Sequence, residues 1–307
     1  MMVATQTLPY GPDSIAAAAR LILAGQPVAM PTETVYGLAA DATQGAAIAR
    51  VYEAKGRPSF NPLIIHVSDL AQAIELGHFN AATIVLAEAH WPGPLTLVVP
   101  LREGAGIAAL ATAGLPTVAL RVPAHPAMQD LLRATGRPLA APSANASGRI
   151  SPTRPEHVLR SLDGRIALIV DGGATAYGVE STIVALTGGS PRLLRPGPVD
   201  LGLALAQDGG VEAPGQLASH YAPAKPVRLE ASAADADEWL IGFGPIAGNA
   251  NLSASGDLAE AAANLFERLH EAEAAHAPRI AIAPIPPGGL GAAINDRIGR
   301  AAAPRAR

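Results

Sequence analysis

The amino-acid sequence predicts an α/β protein built on a twisted open mixed sheet with helices, followed by a smaller α/β unit. Apolar segments of strand length alternate with helix-length segments along the chain. Hydrophobic residues make up 49% and charged residues 16% of the chain, enough for a sizeable core. The 31 glycines and 28 prolines are typical of a loop-rich α/β protein. A length of 307 residues suggests two domains.

The first 200 residues alternate regularly between the two kinds of element. We expect helices, with glycine stops or capping side chains at their ends, at 13–24, 44–54, 68–76, 80–90 and 153–162. We expect strands at 27–30, 63–67, 95–101, 117–122, 138–141, 165–170, 181–186 and 192–195. Ser68 is expected to cap the third helix, and Thr153 to Glu156 matches a capping box. These elements predict one domain at 10–205.

The pattern breaks at 206–226, where glycine and proline are frequent and no periodicity is present, so we expect a linker there. His220 and Tyr221 are unusual residues for a simple spacer. Beyond it, strands at 227–231, 239–243 and 279–285 and helices at 257–275 and 290–302 predict a small Rossmann-like domain at 227–307.

Composition excludes several classes of site. The chain has no cysteine, which rules out disulfides, thiol nucleophiles and cysteine-ligated metals and fits a reducing compartment. No apolar run reaches about 18 residues and the N-terminus lacks a signal-peptide pattern, so we expect a cytoplasmic protein without a membrane contact. The net charge of −4 disfavours a general polyanion binder. Residues 121–195 nevertheless hold nine basic and five acidic residues, so an anionic ligand is expected near that segment.

A lysine and an arginine stand two residues apart at Lys55 and Arg57, in a chain with two lysines and 20 arginines. In an extended segment their side chains would point the same way and form a two-cation clamp suited to phosphate. The alternative is a solvated helix C-terminus, where the helix dipole favours cations. This run alone does not separate the two interpretations.

Other polar residues stand in apolar or small-residue surroundings. The segment 142–153 lies between a strand and a helix, where backbone N–H groups could bind an anion or form an ordinary capped turn. Arg121 and Arg195 lie in apolar strands, where a charge is costly unless it is paired or bound to a ligand. His66 is similar, with a satisfied core histidine as its alternative.

Several motifs in the same order resemble the YrdC-like threonylcarbamoyl-AMP synthases in their long two-domain form. They are residues 31–38 (Pro-Thr-Glu-Thr-Val-Tyr-Gly-Leu), Lys55-x-Arg57, Ser143-x-Asn145, 178–182, 194–197 and the linker segment 214–223. The resemblance is strong over about 10–225 and extends further only in pattern. One departure is Gln216, at a position where the family resemblance leads us to expect methionine.

The resemblance implies a YrdC-like fold and a nucleotidyltransferase that converts L-threonine, bicarbonate and ATP into threonylcarbamoyl-AMP and pyrophosphate. Mg²⁺ would accompany ATP. The product would pass to a transferase complex that modifies tRNA to threonylcarbamoyladenosine, and a weak direct tRNA contact is compatible with this role.

The resemblance also implies roles for individual residues. The catalytic group is Lys55, Arg57, Ser143 and Asn145. The ATP contacts are Arg57, Asn61, Thr117, Ser143, Ser151, Arg195 and Tyr221. The threonine contacts are Thr34, His66, Arg121, Ala141 and Ser181, and Thr32 and Tyr36 would line the pocket.

Two other functions were weighed against this one. A non-catalytic RNA-binding module would also use a cationic hollow, but the chain lacks the net basic charge and stacking aromatics typical of such binding. A related carbamoyl-transfer enzyme of hydrogenase maturation would carry zinc-binding cysteines, which are absent here.

Overall fold

The computed structural model describes residues 4–58, 60–206, 210–216 and 220–304, which form two sheets with their helices. The larger sheet has ten strands in the order β1-β8-β2-β3-β7-β4-β6-β5-β9-β10 and mixes parallel with antiparallel pairs. Its strands are β1 Gln6–Pro9, β2 Val28–Met30, β3 Gly37–Asp41, β4 Ile64–His66, β5 Leu95–Pro100, β6 Thr117–Arg121, β7 Leu139–Ala140, β8 Leu168–Asp171, β9 Thr182–Ala185 and β10 Arg192–Arg195. The predicted mixed α/β architecture is confirmed.

Six helices accompany this sheet within the described residues. They are α1 Pro12–Leu23, α2 Gly45–Lys55, α3 Leu70–Leu76, α4 Ala81–His90, α5 Pro126–Thr135 and α6 Pro155–Leu162. Helix α2 ends because Gly56 adopts the left-handed conformation, with φ of 60°. Strands β4 and β6 run parallel and pair His66 with Arg121, which puts two polar side chains side by side in an apolar sheet.

The smaller sheet is entirely parallel, in the order β11-β14-β12-β13. It contains β11 Val227–Arg228, β12 Glu238–Gly242, β13 Ala250–Asn251 and β14 Arg279–Ile282, with helices α7 Leu258–Ala274 and α8 Leu290–Ala302. One apolar cluster joins the two units, because Val35, Ile150 and Val179 pack with Tyr221 and with core residues of α7 and α8. The two sheets therefore share part of their packing.

The structure differs from the sequence predictions in several local details. Strands β1, β3 and β13 and helix α5 were not predicted. The capping box at Thr153 is wrong, because Arg154 occupies the N-cap of α6 without a side-chain bond and the Thr153 amide bonds to His157 Nδ1 instead. The predicted cap at Ser68 is one residue early, since Asp69 accepts the capping bond from Gln72.

Across the described parts of the chain, no helix combines the length and the apolar character needed to cross a membrane.

Candidate functional site

A cavity with many polar side chains in its wall lies where several strand ends of the large sheet meet the described linker residues, 210–216 and 220–226. Its walls are formed by the segment after β2, by residues in or next to β4, β6 and β7, by the residues just before β9 and by the last residue of β10. The linker supplies Pro214, Gly215, His220 and Tyr221 on the remaining side. Residues more than 180 positions apart in the sequence thus surround one space.

Many of the residues singled out in the sequence line this cavity. They are Thr32, Thr34, Arg57, His66, Arg121, Ala141, Ser143, Ser181, Arg195 and Tyr221. Lys55, Asn61, Asn145 and Ser151 are buried outside the lining, and Tyr36 and Thr117 are also outside it.

Of the two interpretations of Lys55 and Arg57, the extended two-cation clamp does not have the expected geometry, and Lys55 is at a helix C-terminus but is buried. Lys55 is the last residue of α2, and the left-handed turn at Gly56 separates it from Arg57. The Lys55 Nζ atom donates to the backbone oxygens of Ser143 and Asn145, each at 2.5 Å. The ammonium therefore fixes the 143–145 loop at the cavity edge. Burial, with the nearby Arg57 charge, lowers the pKa of Lys55 well below its ordinary value.

Arg57 and Arg195 are buried guanidinium groups in the cavity wall, 9% and 4% exposed. Arg57 donates to the backbone oxygens of Asn61 and Pro62, at 3.3 and 3.1 Å. Arg195 donates from Nε to the Ser181 backbone oxygen and from Nη2 to the Ser181 hydroxyl, both at 3.0 Å. Neither forms an ion pair with a carboxylate in the described residues, and burial lowers the pKa of both. Arginine stays charged under such shifts, so the wall carries uncompensated positive charge.

Arg121 is also buried but has an internal counter-charge. Its Nη2 atom lies 2.6 Å from the Glu33 carboxylate and its Nη1 donates to the Thr34 hydroxyl at 3.0 Å. Burial opposes ionisation of Glu33, but the Arg121 charge and hydrogen bond together with backbone hydrogen bonds lower the pKa of that carboxyl overall. Glu33 was not identified from the sequence as a partner of Arg121, which was expected there to contact L-threonine.

His66 faces the cavity as a neutral, unbonded imidazole. Both ring nitrogens are buried and have no hydrogen-bond partner in the described residues. Burial, followed by the neighbouring Arg121 charge, lowers the pKa of His66 to about 3. Two unsatisfied ring nitrogens in a cavity wall are costly, and a polar ligand could satisfy them. This contrasts with the satisfied core histidine considered in the sequence.

Asn145 and Ser151 lie outside the lining and form hydrogen bonds next to the cavity wall. Asn145 donates to two backbone oxygens of its own loop, those of Ala146 and Arg149, at 3.0 and 2.9 Å. The buried Ser151 hydroxyl donates to Glu180 at 2.5 Å, and Glu180 is a lining residue that the sequence analysis did not select.

Three other predicted residues lie outside the lining. Tyr36 donates its hydroxyl to the Gly173 backbone oxygen at 2.8 Å. Thr117 begins β6 opposite Pro100. Asn61 is buried with its amide oxygen unbonded. Within the described parts of the chain, none of their side chains forms a hydrogen bond to a lining residue.

The described linker residues in the cavity lining are closely packed. Tyr221 is 1% exposed, adopts a left-handed backbone with φ of 60°, and has a hydroxyl without a partner among the described residues. Gly215 has φ of 91°, and a Cβ there would stand 2.8 Å from the Arg195 Cδ atom and 3.0 Å from the Tyr221 hydroxyl. Gln216, the departure noted in the sequence, accepts from the amides of Glu212 and Ala213 at 2.8 and 2.9 Å. It therefore stabilises the local turn.

Comparison with known families gives matches over nearly the whole chain. Residues 20–197 match a Sua5, YciO and YrdC family model described as telomere recombination. Residues 193–303 match a second model, described as the threonylcarbamoyl-AMP synthase C-terminal domain.

Individual relatives agree with these family matches. A Bacillus subtilis protein named threonylcarbamoyl-AMP synthase is 45% identical over 240 residues, covering 73% of this chain and 69% of its own length. A Pyrococcus abyssi protein of the same name is 38% identical over 316 residues and 92% of each chain. The crystal structure of Pyrococcus abyssi Sua5 complexed with L-threonine superposes with a TM-score of 0.89 at 35% identity, over 98% of both chains.

Proposed function

This chain belongs to the Sua5, YciO and YrdC family, and on that premise we propose that it is a threonylcarbamoyl-AMP synthase. The proposed reaction joins L-threonine, bicarbonate and ATP and releases threonylcarbamoyl-AMP, pyrophosphate and water. The relatives bearing this name and the L-threonine complex of the Pyrococcus abyssi protein support it. The reaction class proposed is nucleotidyl transfer.

The observation that carries the proposal is the buried pair Arg57 and Arg195, which share one cavity and have no carboxylate partner in the described residues. Uncompensated buried cations destabilise a fold unless a ligand supplies the counter-charge. A triphosphate supplies several negative charges, and each charge-assisted hydrogen bond to it contributes about 1.5–3 kcal/mol. The cavity is therefore suited to an anionic nucleotide.

Other polar residues of the same lining suit a small amino acid. Thr34, His66, Arg121 and Ser181 present hydroxyl, imidazole and guanidinium groups within the same lining. Because Glu33 already balances Arg121, we propose that L-threonine binds there mainly through hydrogen bonds to hydroxyl and imidazole groups.

The proposed chemistry needs no protein nucleophile. The threonine amine attacks the bicarbonate carbon and water leaves, which gives a carbamate. A carbamate oxygen then attacks the α-phosphorus of ATP and pyrophosphate departs. The enzyme contributes by aligning the reactants and stabilising negative charge with Arg57 and Arg195, while Lys55 and Asn145 hold the Ser143 loop in place.

Mg²⁺ is proposed as the ion that ATP brings with it. Among the described residues no cluster of three or more histidine or acidic side chains could hold a resident cation. The carboxylate found in the described lining, Glu180, is already bound by Ser151 and Arg297. Phosphate oxygens and water are the ordinary ligands of Mg²⁺ in such complexes.

The test is the release of pyrophosphate by the purified protein with ATP, L-threonine, bicarbonate and Mg²⁺. We expect release that requires all three substrates, and a threonylcarbamoyl-adenylate product detectable by mass spectrometry. If no pyrophosphate forms while the protein retards duplex RNA at physiological salt, the RNA-binding alternative replaces this proposal. Transfer of the product to tRNA by a separate complex is proposed as the next step.

A further inference from the structure

Arg297 belongs to α8 of the small sheet, yet its side chain reaches the wall of the cavity in the other unit. The guanidinium is completely buried. Its Nε atom donates to the Glu180 carboxylate at 2.9 Å, and its Nη1 atom donates to the Pro196 backbone oxygen at 2.9 Å. Within its own helix, Nη1 also donates to the carboxylate of the neighbouring Asp296 at 2.8 Å. The last described helix is therefore joined to the cavity wall through one side chain.

The two residues outside α8 that Arg297 binds, Glu180 and Pro196, are sequence neighbours of two lining residues. Glu180 precedes Ser181 and Pro196 follows Arg195 in the sequence. Ser181 and Arg195 are themselves joined by the two 3.0 Å bonds described above. Arg297 is therefore hydrogen-bonded to both chain segments that contain the bonded pair Ser181 and Arg195.

The same guanidinium also supports the linker. Its Cζ atom lies 5.4 Å from the centre of the Tyr221 ring, within the range of a cation–π contact. The Tyr221 ring also packs against Phe266 of α7, with ring centres 5.6 Å apart. Tyr221 therefore takes its position in the cavity from two residues of the small unit.

Charge gives this arrangement a further consequence. Glu180 lies in the described cavity lining and is close enough to Arg195 for each charge to affect the pKa of the other group. Burial opposes ionisation of Glu180, but Arg297 and then Arg195 hold its pKa below the ordinary value. While Arg297 satisfies this carboxylate, the Arg195 charge stays available to an anion. Without Arg297, the anionic Glu180 would still have Arg195 as a cation whose charge favours its ionised form.

We propose that Arg297 is a positioning residue for nucleotide binding, which neutralises Glu180 and so leaves Arg195 free to bind an ATP phosphate. The inference rests on the proposed function for the identity of the nucleotide. It gives the C-terminal unit a direct electrostatic role in the active site.

Calorimetric binding of ATP, and separately of L-threonine, tests this on full-length Arg297→Met, Arg297→Lys and the double variant Glu180→Gln/Arg297→Met. We expect R297M to weaken ATP binding roughly tenfold or more, the effect of about 1.4 kcal/mol, with a much smaller change for L-threonine. Arg297→Lys keeps the charge and should lose less. The double variant removes both charges together, so its ATP affinity should return to within about threefold of wild type.

Steady-state kinetics supplies a second readout. The KM for ATP should rise in R297M while kcat at saturating ATP stays within about threefold of wild type, because Arg297 acts on binding through Glu180 and Arg195. If R297M does not fold, the double variant and Arg297→Lys still test the electrostatic role of Arg297 in ATP binding, since neither leaves Glu180 as an unpaired buried charge.

Arg228→Met is the matched control, because Arg228 also pairs with a buried carboxylate of the small unit, Glu238. It should lower the melting temperature and leave ATP affinity unchanged. Wild-type ATP affinity in R297M, equal weakening in R228M, or a double variant as weak as R297M would each overturn the electrostatic role. If the wild-type protein itself binds no ATP, the proposed function fails together with this inference, whereas the other outcomes remove only the inference.

Discussion

Replacing Arg57 with methionine should weaken ATP binding and at the same time leave the fold as stable as before, or more stable. The guanidinium is 9% exposed and has no carboxylate partner in the described residues, so its burial opposes folding. Methionine fills similar space without a charge. Loss of function together with retained stability is the pattern expected of a residue kept for ligand binding.

The size of the effect follows from the bonds available to Arg57. Two of its nitrogen atoms are bound to the backbone oxygens of Asn61 and Pro62, which fixes the orientation of the guanidinium in the cavity wall. Removing one charge-assisted hydrogen bond to phosphate costs about 1.5–3 kcal/mol, or roughly 10- to 150-fold in affinity. Turnover should fall by more than about 100-fold, the scale of losing a preorganised charge-stabilising group.

Two measurements on the same preparation test this reasoning. Calorimetry gives the ATP affinity, and thermal unfolding gives the stability with and without ATP, because a ligand raises the melting temperature according to its affinity. Arg50→Met is the matched control, since Arg50 is an exposed arginine of the preceding helix α2 that donates to the Gly25 backbone oxygen at 2.7 Å. A melting temperature several degrees lower in R57M, combined with unchanged ATP affinity, would refute the assignment and make Arg57 a structural residue.

Three further outcomes are expected. Because burial and the Arg57 charge lower the pKa of Lys55, ATP binding at alkaline pH should draw a proton onto it, so the binding enthalpy should depend on the buffer. Equal enthalpies in buffers of different ionisation enthalpy would contradict this. Thr34→Val removes the hydroxyl that accepts from Arg121 and should weaken L-threonine binding about fivefold, at about 1 kcal/mol per bond, with ATP affinity as the unaffected control. Burial, with smaller effects of nearby arginines, lowers the pKa of His157 to about 4, so the unfolded chain binds more protons than the folded chain below pH 6.5 and the free energy of unfolding falls as the pH drops toward 4. Between pH 7.5 and pH 5, urea unfolding should show a loss of stability that is about 2 kcal/mol smaller in His157→Gln than in the wild type. Equal losses in the two proteins would exclude His157 as a source of the pH dependence.

Much of the fold was predictable from local patterns. The main helices and most strands followed from periodicity and from glycine stops such as Gly56. Strand β3 was missed because its sequence, Gly-Leu-Ala-Ala-Asp, is buried throughout and shows no alternation. Helix α5 begins with proline after a His125 cap, a weaker signal than serine or aspartate.

The site was predictable as a set of residue types but not as a set of contacts. Arg121 and Arg195 stood out because a charge in an apolar strand needs a partner or a ligand. The same rule could not distinguish them. Arg121 is paired with Glu33, while Arg195 has no carboxylate partner in the described residues. The difference depends on which carboxylates the folded chain brings near each group.

The amino-acid sequence by itself determined the α/β class, the two-unit organisation and the chemical types of most residues that line the cavity, because periodicity and residue chemistry are local properties. Only the tertiary structure decided that Lys55 anchors a loop 88 residues away and that Arg297 reaches Glu180 across 117 residues. Such pairings follow from the packing of distant elements, and a buried charge is stabilised by whichever group that packing places beside it.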